Sequence, residues 1–396
     1  MFSVIYAFPY TVVFLIICLF SFPIVLNKRK NLVVNYASEY AVFFILSIFI
    51  GLRGFIYSDY RAYYNTFKIL PTLFDGFSTI FKSLSELPFE KGFLLFSIFL
   101  KTFTKNYFIY QEIQFFIEFI ILYYFFKTYI KDHILLAFAF CYIFGGVIGS
   151  MQINLSRNFK SILLFLLSIK YLNKNKIHLY IILNLLGVIF HISSLFYIPL
   201  AFILTKRFSK SKYLLVFIIG NIIYLCQIRY LSSILLTITN SYNGSLSYIF
   251  KRYVLNNRWN TSYGISIGYF ERCFTFLFVL KFSNKLWAQK YNVIFLNCLF
   301  LHIFSYLYLS EFKIFTDRIP LLFIFAYWVI YPQIYALYTK KMKCIFWVAF
   351  MFYSLLKLSR CNSILYLYDN ALFLKYPFQE RVKTLDNFYS FTGVYK

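Results

Sequence analysis

The chain has 396 residues, of which 61% are hydrophobic and only 14% are charged. This composition excludes a soluble globular domain and is typical of a polytopic membrane protein. The net charge of +26 does not indicate nucleic-acid binding, because Lys and Arg are spread over short loops between apolar runs rather than gathered in one basic domain.

The first two apolar runs predict an amino terminus outside the cytoplasm. The run at 6–26 is followed by Lys28, Arg29 and Lys30, which the positive-inside rule assigns to the cytoplasm. It has no basic segment before it and no small-residue cleavage site after it, so we expect a retained helix. The run at 40–54 returns the chain outward into a first external loop at 55–91.

The apolar stretch 92–103 decides the topology of the next part of the chain, since it has only about two-thirds of the length of a straight span. If it crosses the bilayer, the long run at 177–204 crosses once, with His191 at mid-bilayer. If it is re-entrant or interfacial, the basic turn at 170–176 falls inside, and 177–204 becomes two short helices that meet at His191 on the outer side. The second arrangement obeys the charge bias better, and we prefer it.

After a cytoplasmic basic segment at 206–212, the spans alternate regularly. An external loop at 229–263 and an external tail at 360–396 are the remaining large polar segments. We therefore predict an all-α polytopic protein with about 12 membrane helices, within a range of about 10 to 13. No fixed-period repeat or second soluble domain is recognisable, so we expect a single membrane domain over 1–396.

Charged and polar side chains at the external ends of these runs are the candidates for chemistry, because such groups are costly at membrane depth. Arg157 opens one apolar run and His191 interrupts the next, so a helical hairpin brings both to the same side of the bilayer. Asp59 is suited either to cap a helix whose aromatic face rests on the bilayer surface or to take a proton over a pocket. The candidate substrate-binding residues are Arg53, Tyr60, Tyr63, Glu90, Arg157, Ser193, Arg258, Arg272 and Arg318.

Structural alternatives stand beside these roles. The alternative for Arg157 is to snorkel to lipid headgroups, and the alternative for His191 is to serve as a structural hydrogen-bond partner. Glu112 and Glu118 lie in an apolar run with no basic partner nearby in sequence, so the sequence assigns them no role. The chain has no HExxH, no paired Cys-x-x-Cys, no Walker loop and no dinucleotide glycine motif, so we predict no metal and no nucleotide cofactor.

Several short motifs follow one another between residues 53 and 194: Arg53-Gly54, Asp59-Tyr60, Tyr63-Tyr64, Phe89-Glu90-Lys91-Gly92-Phe93, Arg157 and His191-Ile192-Ser193-Ser194. This ordered set resembles the EpsG family, which includes Wzy-type polysaccharide polymerases. Weaker similarities follow at Arg272, Asp317-Arg318 and Tyr376-Pro377-Phe378, whereas Tyr57-Ser58 stands where the family often has a glycine before the loop aspartate.

The resemblance implies a bacterial inner-membrane O-antigen or exopolysaccharide polymerase with its active site facing the periplasm. Such an enzyme moves a growing glycan from undecaprenyl pyrophosphate onto a new lipid-linked repeat unit, without a cofactor. Arg157 and Arg318 are then expected to hold the departing pyrophosphate, and Asp59 or His191 to receive the acceptor proton. A chain-length regulator is an open candidate partner.

Two other functions remain open at this point. A flippase for the same lipid-linked oligosaccharide is also polytopic and lined with Arg, although the chain lacks the matched Gly/Pro-broken helices of many transporters. An O-antigen ligase or envelope acyltransferase shares the outward-facing His and Arg.

Overall fold

A computed structural model of the protein describes residues 3–26, 32–147, 151–241, 264–289 and 291–391. Over these ranges the regular secondary structure is helical, which confirms the predicted all-α class. The α-helices are α1 (Phe8–Leu26), α2 (Leu32–Leu46), α3 (Tyr60–Ile69), α4 (Phe77–Glu86), α5 (Lys91–Phe103), α6 (Tyr107–Tyr129), α7 (Ile134–Cys141), α8 (Ser156–Asn173), α9 (Ile177–Phe190), α10 (Lys210–Leu225), α11 (Leu231–Ser241), α12 (Ile267–Leu286), α13 (Asn292–Tyr308), α14 (Lys313–Arg318), α15 (Phe325–Ala336), α16 (Lys340–Leu358) and α17 (Phe378–Phe391).

Several of these helices suit a lipid environment. The described helices that are long and apolar enough to cross a bilayer are Val4–Phe22, Val34–Gly51 and Tyr107–Tyr129. A pair bent by 50°, Lys313–Phe323 and Phe325–Ala336, adds a fourth if it forms one broken span. Shorter apolar helices such as α9 leave Ile182, Leu185 and Ile189 exposed, as is favourable in lipid and costly in water. The protein is a membrane protein, whereas the count of about twelve spans stays a prediction.

The chain forms two compact units, residues 1–201 with 331–396 and residues 202–330. The predicted single membrane domain stays a prediction, because this division does not define where the bilayer lies. The sidedness of the predicted loops 55–91 and 229–263 and of the tail 360–396 stays a prediction for the same reason. The basic turn at 28–30, most of the loop 229–263 and its Arg258 lie outside the described residues.

Helices α8 and α9 form the hairpin that the sequence predicts. Asn175 in the turn has a φ of +56°, a left-handed conformation that Asn adopts more readily than most residues. The Lys176 N–H donates to the Tyr171 carbonyl at 2.9 Å and closes the end of α8. Between the helices, Asn184 Nδ2 donates to Ser168 Oγ at 3.1 Å. The start of α8 and the end of α9 therefore lie at one end of the hairpin.

The long apolar run at 177–204 is broken at His191, as the preferred arrangement predicts. His191 is extended, with φ −161° and ψ 131°, and the 3₁₀ helices Ile192–Tyr197 and Pro199–Phe202 follow it. The returning chain approaches α9 so closely that a Cβ on Gly187 would lie 2.3 Å from Ser194 Oγ. A glycine is therefore needed at position 187 to let the two segments pack.

The aromatic face of α3 packs inside the protein, which corrects the expectation that it rests on the bilayer surface. Tyr60, Tyr63 and Phe67 are buried in a cluster with residues of α5, α6 and α17. The short α3 is amphipathic, so burial of its apolar face against these helices holds the preceding loop in place. The residues packed around this face include Phe93, Leu100, Tyr107, Tyr110 and Leu385.

Helix α17, in the predicted tail, is anchored to the same loop by a buried arginine. Arg381 is 1% exposed, and its Nε donates to the Phe55 carbonyl at 2.8 Å while Nη2 donates to the Ile364 carbonyl at 2.9 Å. The Gly54 N–H donates to the Asp369 carbonyl at 2.9 Å, close beside it. The loop that carries Asp59 is thus tied to the last part of the described chain.

Candidate functional site

Asn154 lies at the centre of a polar cluster between the loop before α3 and the turn before α8. Its Oδ1 accepts a hydrogen bond from the Asp59 N–H at 2.8 Å and another from the Ser58 hydroxyl at 3.2 Å. Its carbonyl accepts one from the Tyr63 hydroxyl at 3.0 Å. Ser58 Oγ also lies 3.0 Å from Asp59 Oδ1. Asn154 therefore positions Asp59 and Tyr63 together.

Asp59 occupies the position before α3 that the sequence predicts for an N-cap, but its side chain does not cap the helix. The carboxylate is only partly buried and lies near the Tyr63 phenol. Burial raises the pKa of Tyr63, and the negative charge of Asp59 raises it further, while the Arg157 guanidinium opposes both effects. Tyr63 therefore stays protonated at neutral pH and acts as a donor rather than as a base.

Arg157, on the first turn of α8, forms an ion pair with Glu90. The side chains are 25% and 24% exposed, so water or a ligand still reaches them. The guanidinium also stacks on the Phe89 ring, 4.6 Å from its centre, which restricts its orientation. Its Nε is buried with no hydrogen-bond partner among the described residues. Glu90 thus orients the guanidinium without using all of its donors.

Ser193, which is hydrogen-bonded to His191, contacts the first turn of α8. The Ser193 N–H donates to His191 Nδ1 at 3.2 Å, and Ser193 Oγ lies 2.7 Å from that nitrogen. Ser193 Oγ also donates to Asn158 Oδ1 at 3.3 Å, one residue beyond Arg157. Because Nδ1 accepts a backbone N–H, the hydrogen-bond pattern assigns the proton of the neutral ring to Nε2.

A buried ion pair lies one helical turn beyond Arg157. Lys160 Nζ donates to Glu118 Oε1 at 3.0 Å, to Gln114 Oε1 at 2.7 Å and to Ser156 Oγ at 2.8 Å. Both charged side chains are less than a tenth exposed. This network joins the start of α8 to α6 and supplies the partner for Glu118 that is not evident in the sequence.

The other polar residues that the sequence analysis named in the first unit are hydrogen-bonded or buried within the fold. Arg53 Nη1 donates to the Ile50 carbonyl at 2.6 Å, at the end of the helical segment that continues α2. Tyr60 is 5% exposed, and burial raises its pKa to about 12. Glu112 accepts a hydrogen bond from Ser47, and its carboxylate fills the space that a Cβ at position 51 would occupy.

The remaining arginines belong to the second unit or lie outside the described residues. Arg272 stacks on Tyr306 with its Cζ 4.0 Å from the ring centre, and its Nη1 donates to the Gly268 carbonyl at 2.8 Å. Arg318 is exposed at the end of α14. Arg258 lies outside the described residues, so its role, like that of Arg272 and Arg318, stays a prediction.

The sequence analysis missed several residues of the cluster, although the sequence carries a signal for them. Polar residues occupy alternate positions through the turn and the first turn of α8, and all of them are buried. A run of such residues beside an apolar span predicts a hydrogen-bonded network, because buried polar groups need partners. The residues of this run are Gln152, Asn154, Ser156, Asn158 and Lys160.

The described residues contain no group of three or more His, Cys, Asp or Glu side chains that could hold a metal ion. The cluster instead offers a carboxylate, an oriented guanidinium, an imidazole with a donor nitrogen and a protonated phenol. These groups can accept one proton and can stabilise negative charge on oxygen.

Over the described residues, the helices and this cluster define a helical membrane protein with a carboxylate, a phenol, a guanidinium and an imidazole at one end of a helical hairpin. The EpsG family model matches residues 36–378, so the chain belongs to the EpsG family. This family includes Wzy-type polymerase-like proteins, and the chain is thus a membrane protein of a polysaccharide polymerase-like family. No curated protein and no solved structure matches the chain.

Proposed function

We propose that the protein is a glycosyltransferase that polymerises undecaprenyl-pyrophosphate-linked oligosaccharide repeat units on the periplasmic face of the inner membrane. The observation that carries this proposal is the convergence of Asp59, Tyr63, Glu90 and Arg157 around Asn154 and the first turn of α8. Membership of the EpsG family supports the reaction class.

In the proposed reaction, a hydroxyl of the acceptor sugar attacks the anomeric carbon of the donor glycan. The bond between that carbon and the pyrophosphate oxygen breaks, and its electron pair leaves with the lipid pyrophosphate. Asp59 receives the hydroxyl proton, since its carboxylate is partly exposed and does not cap α3.

Arg157 stabilises the negative charge that develops on the leaving pyrophosphate. A guanidinium keeps its charge at physiological pH and can donate several hydrogen bonds to phosphate oxygens. Glu90 and Phe89 hold it in one orientation before the substrate binds, which lowers the entropic cost of binding. His191 supports this role as a donor through Nε2 rather than as the base, because its Nδ1 accepts the Ser193 N–H.

The test uses purified protein in detergent with lipid-linked repeat units, and polymer length is read on a gel. A flippase produces no polymer in detergent, and a ligase or acyltransferase gives a different product. We expect Asp59→Asn to reduce polymerisation by about 100-fold or more and Arg157→Gln by about 10-fold to 100-fold.

The exposed ion pair between Arg61 and Asp386 supplies matched controls, because each side chain is 45% exposed. Arg61→Gln and Asp386→Asn make the same chemical changes outside the cluster and should leave polymerisation near the wild-type level. Full activity of Asp59→Asn would remove Asp59 as the base. Absence of polymer with the wild-type protein would contradict the proposed reaction itself.

A further inference from the structure

The second unit contains a basic cavity at the start of α10. The cavity has a volume of about 460 Å³ and is lined by Arg207, Phe208, Ser209, Lys210, Asn284 and Trp287. Ser209 caps α10, so the positive end of this helix adds to the charge of the two cationic side chains.

The positive charge of this region is not balanced by acidic side chains in the part of the chain that the structure describes. Among the described residues, the nearby cations have no carboxylate within ion-pair distance. The guanidinium of Arg207 stacks on the Trp287 ring at 4.1 Å, and the buried Trp287 Nε1 has no hydrogen-bond partner in the described part of the chain. The nearby cations without a carboxylate partner are Lys206, Arg207, Lys210, Lys212 and Lys285. The cavity therefore offers several donors and no acceptor charge, which suits an anion.

An apolar cavity of about 390 Å³ adjoins the basic one, and Phe208 lines both. Its walls come from α10 and α13 and include Val216, Leu301 and Phe304. Val216 is 36% exposed, so this cavity is accessible from the protein surface. A free phosphate ion gains nothing from apolar walls, whereas a phospholipid carries an anionic headgroup and an apolar acyl chain in one molecule.

We propose that the two cavities together bind one anionic phospholipid. Its phosphate lies between Arg207 and Lys210 beside Trp287, and one acyl chain lies along the apolar cavity past Phe208. The predicted cytoplasmic position of segment 206–212 agrees with this, since anionic lipids of the inner leaflet are attracted to basic residues beside membrane helices. The inference concerns the second unit alone and does not depend on the proposed polymerase reaction.

The test measures lipid binding by native mass spectrometry of the full-length protein in mild detergent, titrated with phosphatidylglycerol or phosphatidylcholine. With about 1 kcal/mol for each basic residue near a phosphate, Arg207→Gln/Lys210→Gln should weaken phosphatidylglycerol binding roughly 30-fold. Lys340→Gln/Lys341→Gln is the matched control, because it removes the same charge from exposed residues of another predicted cytoplasmic segment. This control should keep wild-type affinity.

A second variant separates the lipid from a simple anion. Val216→Trp fills the apolar cavity, so it should weaken phosphatidylglycerol binding without changing the effect of inorganic phosphate on thermal unfolding. Equal binding of phosphatidylcholine, or equal loss in the Lys340→Gln/Lys341→Gln control, would overturn the proposed site. So would unchanged lipid affinity of Val216→Trp, which would indicate an anion site without a lipid chain. Unfolding temperatures in lipid-free detergent verify that each variant is folded.

Discussion

Replacing Lys160 with methionine should strongly destabilise the protein, because it leaves the Glu118 carboxylate buried without its cation. The two charges are 3.0 Å apart, and at an effective dielectric constant of about 20 their attraction is about 5.5 kcal/mol. The loss of one partner from a buried pair typically costs about 3 to 5 kcal/mol, since the other charge stays desolvated. We expect Lys160→Met to lower the free energy of unfolding by about that amount.

The double variant Lys160→Met/Glu118→Leu removes both charges and should recover most of the lost stability, because no buried charge remains. The measurement is chemical unfolding in mixed micelles, followed by tryptophan fluorescence and repeated for the two single variants and the double variant. Lys170→Met is the control on the same helix: Lys170 contacts the rings of Tyr124 and Tyr171, so its loss should cost about 1 kcal/mol or less.

Two results would refute this reasoning. If Lys160→Met is as stable as the wild type, the pair does not carry buried charge. If the double variant is no more stable than Lys160→Met, the cost comes from packing rather than from an uncompensated carboxylate. The same samples also test the proposed function, since displacement of the first turn of α8 should then reduce polymerisation even where the protein stays folded.

Three further predictions test the surroundings of the cluster. Tyr63→Phe removes a buried donor and should cost about 1 to 3 kcal/mol of stability by denaturant unfolding, and no measurable loss would contradict the hydrogen-bond assignment. Gly92→Ala places a Cβ 2.6 Å from Ile189 Cγ2 and should lower the free energy of unfolding by about 1 to 3 kcal/mol, which thermal unfolding measures. The control Gly264→Ala places a Cβ with nothing within 4 Å and should leave the free energy of unfolding unchanged. Arg381→Met leaves buried carbonyls unpaired and should speed proteolysis of the segment 55–69, and an unchanged cleavage rate would argue against the anchor.

The sequence predicts the local features of the fold well. The α8–α9 hairpin follows from two apolar runs joined by a short basic turn, and the break at His191 follows from a polar residue inside an overlong run. Each of these features depends on residues close together in the chain. The position of Asp59 at the start of α3 was predicted for the same reason.

Pairings between distant residues could not be predicted from the sequence. Arg157 and Glu90 are 67 residues apart, and Lys160 and Glu118 are 42 apart. A single sequence does not specify which of several carboxylates forms an ion pair with a given Lys or Arg once the helices have packed. The side chain of Asp59 illustrates the same limit, because its predicted capping role depends on a local rule, whereas Asn154, far away in the chain, holds its backbone N–H.

The anchor formed by Arg381 has a consequence for biosynthesis. Phe55 and Arg381 are separated by 326 residues, so the ribosome releases the loop long before the guanidinium that secures it has been made. Until then, the segment around Asp59 lies at the membrane without the hydrogen bonds that Arg381 donates in the folded protein. On the proposed function, polymerase activity is therefore expected only in chains whose translation has passed position 381, and products that stop short would reach the bilayer without becoming active.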